Sequence, residues 1–358
     1  MFDRVTSSIA QRAAIIIAVM ACAYEALVMF LTYATLDVYG NDFVVYWDAA
    51  NGPLSSAYEL RSRYPFAYMP TMLLWIKPLS LAGAWPAYVA WIAISAVAFT
   101  WSTRKYLTMG QNLLALISRP VVFCLMTGQV SVFLAAIMLW AFGTDRKVWA
   151  GVALGAVASV KPQLVLLAPL LLLLRRDFQM ISAAGASFAA IVLLALLAFG
   201  IQPWIDWLAA LDNFHAVLAS GDILRNGASP ASQALRAGYS PLPFMLLGLA
   251  FGVWLVYRCR NLGPLEVTAA VTPASIFASP YAMVYDLAAV VPFLAVTIFR
   301  NRIASAVALT GLFQPLPIFV AAYELLRKAR HEIRDMALGL GARPALGFGF
   351  LGRGRSTS

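Results

Sequence analysis

Residues 180–200 read MISAAGASFAAIVLLALLAFG, a stretch without one charged side chain. About 20 such residues, wound as a helix, match the ~30 Å hydrocarbon core of a bilayer. Comparable runs lie at 13–34 and 303–324, and others recur along nearly the whole chain. Of the 358 residues, 62% are apolar and 12% charged, against about 45–50% and about 25% in a soluble domain. The pattern predicts an all-α polytopic membrane protein with about 10–13 spanning or half-spanning helices. No internal repeat, low-complexity tract or soluble domain stands out, so 1–326 reads as one integral-membrane domain.

The net charge is +10, and residues 327–358 hold 7 Lys or Arg against 2 Asp or Glu, half of that excess. Placed after the last apolar run, such a tail reads as a cytoplasmic anchor on anionic membrane lipid and not as a nucleic-acid surface. Cys22, Cys124 and Cys259 sit in apolar stretches without CxxC or Cys/His spacing, as buried small hydrophobes do. Arg4 and Arg12 precede an apolar run too long for a signal peptide, which reads as a retained first span.

Basic connections face the cytoplasm. They are Arg4/Arg12, Arg104/Lys105, Arg146/Lys147, Arg175/Arg176, Arg258/Arg260, Arg300/Arg302 and the tail. Segments 35–64 and 201–240 are not basic and are expected outside. Holding every basic connection inside puts a turn on each of four helix breakers: Gly128-Gln129, Lys161-Pro162, Ser279-Pro280 and Gln314-Pro315. Irregular backbone at membrane depth is tolerated where it lines a cavity, so polar groups are expected to converge there. Segment 65–103 reads as two spans hinged at Gly83–Pro86, although the charge rule asks for an odd number of crossings.

Candidate functional residues follow from that convergence. Asp42 stands a few residues past the first span beside Phe43, Tyr46 and Trp47. Desolvation there suits a general base, while a helix N-cap inside an aromatic belt is the plainer reading. Asp48 is a secondary candidate, six residues on. Lys161, in AVASVKPQLVLLAPLLLLL, is a cation with apolar residues on both sides. It either holds an anion such as a lipid phosphate or pairs with Asp286 or Asp42. Asp286, in SPYAMVYDLAAVVPF, either pairs with Lys161, orients a hydroxyl or caps a helix. Gln129 suits an interhelical hydrogen bond. His215, in the second outer segment near Asp212 and Asn213, either touches a substrate or is a surface histidine, the commoner outcome, and His331 reads as a solvated residue of the basic tail. No HExxH, Walker, GxGxxG or GxSxG pattern is present.

The order of these motifs resembles glycosyltransferase family 87, also called DUF2029, the polyprenyl-phosphate-mannose-dependent α-mannosyltransferases of the GT-C superfamily. The matching pieces are the Asp42 loop, YPFAYMP, GQVSV, VKPQ and SPYAMVYDL, spread over residues 40–290. The resemblance implies inverting transfer of a hexose from a polyprenyl-phosphate donor to a hydroxyl of a lipid-linked or envelope-glycan acceptor. It places that site on the outer face of a bacterial-type plasma membrane. It implies that Asp42 is the base, that Tyr64, Pro65 and Tyr68 lie near the donor, and that Gln129, Lys161 and Gln163 are the polar residues of two breaks. Tyr285 and Asp286 would form the late Tyr-Asp pair, and Arg63 or Arg236 would help Lys161 hold phosphate. No metal or other cofactor is implied, since side-chain cations can match an anionic leaving group. Two features depart from the pattern: Tyr64-Pro65-Phe66 replaces Tyr-Pro-Pro, and Tyr281-Ala282-Met283 stands where a His can occur. A lipid or sugar carrier is the rival reading, because transporters also use broken helices with buried charges.

Overall fold

The computed structural model describes residues 2–36, 38–58, 66–219, 223–298, 303–310 and 314–337. Among them there is no strand, only an isolated bridge between Gly227 and Met283. The protein is an all-α polytopic membrane protein. Its first helices are α1 (Phe2–Leu36), α2 (Asn41–Asn51), α3 (Thr71–Ile76), α4 (Ala84–Thr103), α5 (Met109–Ile117) and α6 (Arg119–Thr127). The middle comprises α7 (Ser131–Gly143), α8 (Lys147–Val160), α9 (Ala168–Leu174), α10 (Phe178–Phe199), α11 (Gln202–Ala219) and α12 (Pro230–Arg236). The last are α13 (Leu242–Cys259), α14 (Pro264–Phe277), α15 (Val291–Ile298), α16 (Ile303–Thr310) and α17 (Leu316–Ala337).

Among the described residues four helices are long and apolar enough to cross a membrane: Ile15–Leu36 of α1, α4, α10 and α13. A fifth candidate is the pair α5 and α6, bent by 58° where Ser118 leads into Pro120 and the proline removes a backbone donor. The remaining elements are shorter than the expected 10–13 spans suggested. Thus α7 and α8, with 13 and 14 residues, each reach only about 20 Å. All four anticipated breakers do interrupt helices, which is why apolar sequence exceeds the number of full spans.

The expectation of two spans in 65–103 is corrected. Pro70 and Pro78 flank a helix of six residues, and a proline cannot continue the ladder of the preceding turn. Among the described residues of this stretch only α4 is long and apolar enough to cross, which agrees with the odd number of crossings that the charge rule asks for. The segment 201–240, expected from sequence to be an outer loop, is largely the two helices α11 and α12. Residues Arg300 and Arg302 lie outside the described residues, as does the tail beyond Ala337. The start of the basic segment continues α17, where Glu324 pairs with Arg327 at 3.2 Å and Lys328 bonds Glu266 of α14.

Two small-residue seams join the bundle. Gly151 and Gly155 of α8 lie against α10, where a Cβ on Gly155 would run into the Ala184 carbonyl. Gly248 and Gly252 of α13 meet the Phe277 and Ala274 carbonyls of α14 in the same way. A four-residue glycine spacing lets helix backbones approach closely where lipid supplies no hydrophobic drive. Gly155→Ala is therefore expected to cost about 1–3 kcal/mol, whereas Gly185→Ala, facing open space, is neutral or stabilising. Thermal unfolding of the two variants in detergent checks this difference.

Candidate active site

The site is assembled where α7 begins, α8 ends and the segment after α14 turns. Gly128 ends α6 at φ 75, a left-handed conformation that favours glycine, and a Cβ there would lie 2.5 Å from the Phe43 Cβ. Gly40 before α2 is also left-handed, at φ 66. Both glycines pack on the ring of Tyr88. Tyr88 donates to the Leu125 and Met126 carbonyls at 3.0 and 2.9 Å, Trp91 donates to the Gly128 carbonyl at 3.0 Å, and the Gly40 amide donates to Met126 at 2.8 Å. Two residues of α4 thus hold the turns that carry Asp42 and Gln129.

Lys161 caps α8, and its following Pro162 forces the break. The ammonium is buried and donates to Asp286 Oδ1 at 2.8 Å, Ser131 Oγ at 2.9 Å and Gln129 Oε1 at 3.2 Å. All three of its protons have acceptors. Ser131 donates to the same Asp286 oxygen at 2.8 Å, and the Met283 amide donates to Oδ2 at 3.0 Å. Lys161 also lies 4.6 Å from the centre of the Tyr285 ring, a stabilising position for a desolvated cation. The hydroxyls of Tyr46 and Tyr68 approach Gln129 Oε1 at 2.6 and 2.8 Å and each other at 2.8 Å.

A cavity of about 220 Å³ opens onto this network. Asp42, Tyr68, Gln129, Lys161, Gln163, Tyr281, Tyr285 and Asp286 all line it, together with Trp207, Leu211 and Phe214 from α11. Asp42 sits in the first turn of α2, outside the spans, with part of its surface accessible. Burial pushes its carboxyl above the ordinary range, while hydrogen bonds with Gln129 and Thr127 and the charge of Lys161 pull it back only in part. The start of α12 and the residues before it are tied to the segment after α14: the Ala228 amide donates to the Ala282 carbonyl at 2.8 Å, and Ser232 accepts from the Ala282 amide at 2.9 Å.

Other predicted residues fall elsewhere. Asp48 is exposed on α2 and does not line the cavity, and Arg236 is exposed at the end of α12. Arg63, Tyr64 and Pro65 lie outside the described residues, as does the side chain of His215 on α11. Of the four breaks, Gln314-Pro315 contributes nothing to the described lining. Sequence reading took Tyr46, one helical turn after Asp42, only as an aromatic neighbour, and passed over Ser131, the first residue of α7. It also missed Trp207, Leu211 and Phe214, whose spacing of four and three marks one helix face. Among the described residues no group of three or more His, Cys, Asp or Glu is placed to hold a metal.

A model of glycosyltransferase family 87 matches residues 66–284, more than half of the chain. The chain belongs to glycosyltransferase family 87. It is accordingly a membrane glycosyltransferase. The match to family 87 contains Tyr68, Gln129, Ser131, Lys161, Gln163 and Tyr281, ends just before Tyr285 and Asp286, and begins after Asp42. No curated protein and no solved structure matches the chain.

A buried ion pair loses more when one partner is removed than when both are, because the survivor is left uncompensated. Lys161→Met and Asp286→Asn are each expected to lower stability by about 3–5 kcal/mol. The double variant should recover a large part of that loss, and thermal unfolding of the four proteins reads the coupling directly.

Proposed function

We propose that this family 87 enzyme transfers a hexose, mannose by resemblance, from a polyprenyl-phosphate donor to a hydroxyl of a lipid-linked or envelope-glycan acceptor. The reaction takes place at the outer face of a bacterial-type plasma membrane and inverts the anomeric centre. The single observation that carries the reading is that Asp42 and the Lys161–Asp286 pair line one cavity within a membrane-embedded bundle.

In this reaction the acceptor oxygen forms a bond to the anomeric carbon as the bond from that carbon to the phosphate oxygen breaks. The electron pair leaves on the phosphate, and the acceptor proton passes to the Asp42 carboxylate. A phosphate leaving group is already stable, so positioning, charge stabilisation and one proton acceptor suffice. Lys161 supplies the cation. Its protons are taken in the resting site, so contact with phosphate exchanges one existing bond, and the 3.2 Å bond to Gln129 is the longest. Asp286 and Ser131 keep the ammonium aimed during that exchange. Trp207, Phe214 and Tyr281 offer ring faces for the apolar side of a sugar, and Phe214 already stacks edge-on against Tyr281 at 5.0 Å.

Transfer from labelled polyprenyl-phosphate mannose to a host lipid extract, by purified protein in lipid, tests the reading. Wild type is expected to give a labelled product, and Asp42→Asn to reduce its rate by about 100-fold or more. Because the Asp42 carboxyl is raised by burial and must be ionised to accept a proton, the rate should climb with pH. That limb should lie above the ordinary carboxylate value of about 4, and Asp42→Asn should remove it. Donor binding without transfer by wild type, across several polyprenyl-phosphate sugars, would favour a carrier.

A further inference from the structure

A second polar cavity lies at the other end of α4 and α7. The 13 residues of α7 separate it from Ser131 by about 20 Å. Its volume is about 310 Å³, and it is lined by Trp101, Ser102, Arg104, Lys105, Trp140, Gly143, Thr144 and Asp145. The transfer chemistry uses none of these residues.

The cavity is built around paired cations. Arg104 lies over the Trp101 ring, 5.2 Å from its centre, and Lys105 lies 4.9 Å from the centre of Tyr106. Lys105 also donates to the Gly143 carbonyl at 2.7 Å, closing the end of α7 and tying it to α4. Gly143 makes this possible, since a Cβ there would collide with the Tyr106 hydroxyl and come within 2.7 Å of Lys105 Nζ. That Tyr106 oxygen is buried and has no hydrogen-bond partner among the described residues. It lies behind Gly143 and is not part of the cavity lining.

The surroundings identify the ligand class. Arg104 and Lys105 follow directly on the last residue of the α4 span, and Trp101 and Trp140 lie one turn inside the two helix ends. Tryptophans beside cations at the ends of spans sit at the headgroup level of a bilayer. Two cations against the single carboxylate of Asp145 leave a net positive cavity open at that level. A guanidinium, an ammonium and hydroxyls facing one space suit a phosphate group.

We propose that this cavity is a binding site for the headgroup of an anionic bilayer phospholipid. Arg104 and Lys105 hold its phosphate, the Ser102 and Thr144 hydroxyls line the same space, and the two tryptophans seat the glycerol region. Delipidated full-length protein titrated with phosphatidylglycerol, phosphatidylcholine or inorganic phosphate, followed by native mass spectrometry and thermal unfolding, tests the site. Wild type is expected to bind and be stabilised by phosphatidylglycerol in preference to phosphatidylcholine. The R104Q/K105Q variant should lose about ten-fold or more in that affinity, on the scale of two cations at an anionic surface, with its circular dichroism unchanged. R146Q/R330Q removes the same charge from two exposed positions and should keep the preference. Equal losses in both variants, or stabilisation by inorganic phosphate as strong as by phosphatidylglycerol, would overturn the proposal. If R104Q/K105Q fails to fold, Trp140→Ala with both cations intact takes its place. Unchanged lipid preference there would equally overturn it.

Discussion

One buried ion pair organises this molecule. Lys161 and Asp286 meet at 2.8 Å with almost no exposure, yet they stand 125 residues apart and on two different interruptions of the helical bundle. A lone charge at membrane depth is expensive, and the cost falls only when an opposite charge and further hydrogen bonds surround it. That requirement forces the break after α8, the turn after α14 and the start of α7 into one place. Ser131 and Gln129 then complete the shell of Lys161, and Gln129 carries the network on to Tyr46 and Tyr68. The polar cavity is the space left where these interruptions meet.

Charges and breakers made much of this visible in the sequence. Lys161 and Asp286 were conspicuous because an ionisable group amid long apolar stretches needs a reason, and Pro162 and Gly128 announced broken helices. Asp42 stood out by its position, although its spacing favoured the plainer N-cap reading; in the fold the N-cap of α2 is Gly40. Structure adds that Asp42 lines the same cavity as the ion pair and is raised by burial. Ser131, Trp207 and the hydrogen-bonding role of Tyr46 were missed for a physical reason: uncharged polar and aromatic groups cost little at a membrane edge, so their presence there signals nothing by itself. Only the fold shows that Tyr46 and Ser131 point into one hydrogen-bonded network.

The number of crossings was less legible than the fold class. Apolar composition marks membrane depth, but it cannot tell one span from two half-helices that meet at a turn. Pro70 and Pro78 reduce part of the 65–103 segment to a six-residue helix, and Ser118-Arg119-Pro120 bends what would otherwise be a straight span. Close glycine seams on α8 and α13 compensate for short helices by letting backbones touch. The same bundle thus tolerates irregular backbone at one end, around the candidate site, and presents paired cations between tryptophans at the other.

The claim on which this account depends is that the sugar phosphate lies between Asp42 and the Lys161–Asp286 pair. A cryo-electron microscopy structure of the full chain in lipid with a non-transferable phosphonate analogue of a polyprenyl-phosphate hexose tests it most directly. The account predicts phosphonate oxygens within hydrogen-bond distance of Lys161, and the sugar facing Asp42 beneath Trp207 and Tyr281. A donor seated elsewhere, with Lys161, Gln129 and Ser131 still in their resting contacts and the cavity empty of sugar, would contradict it.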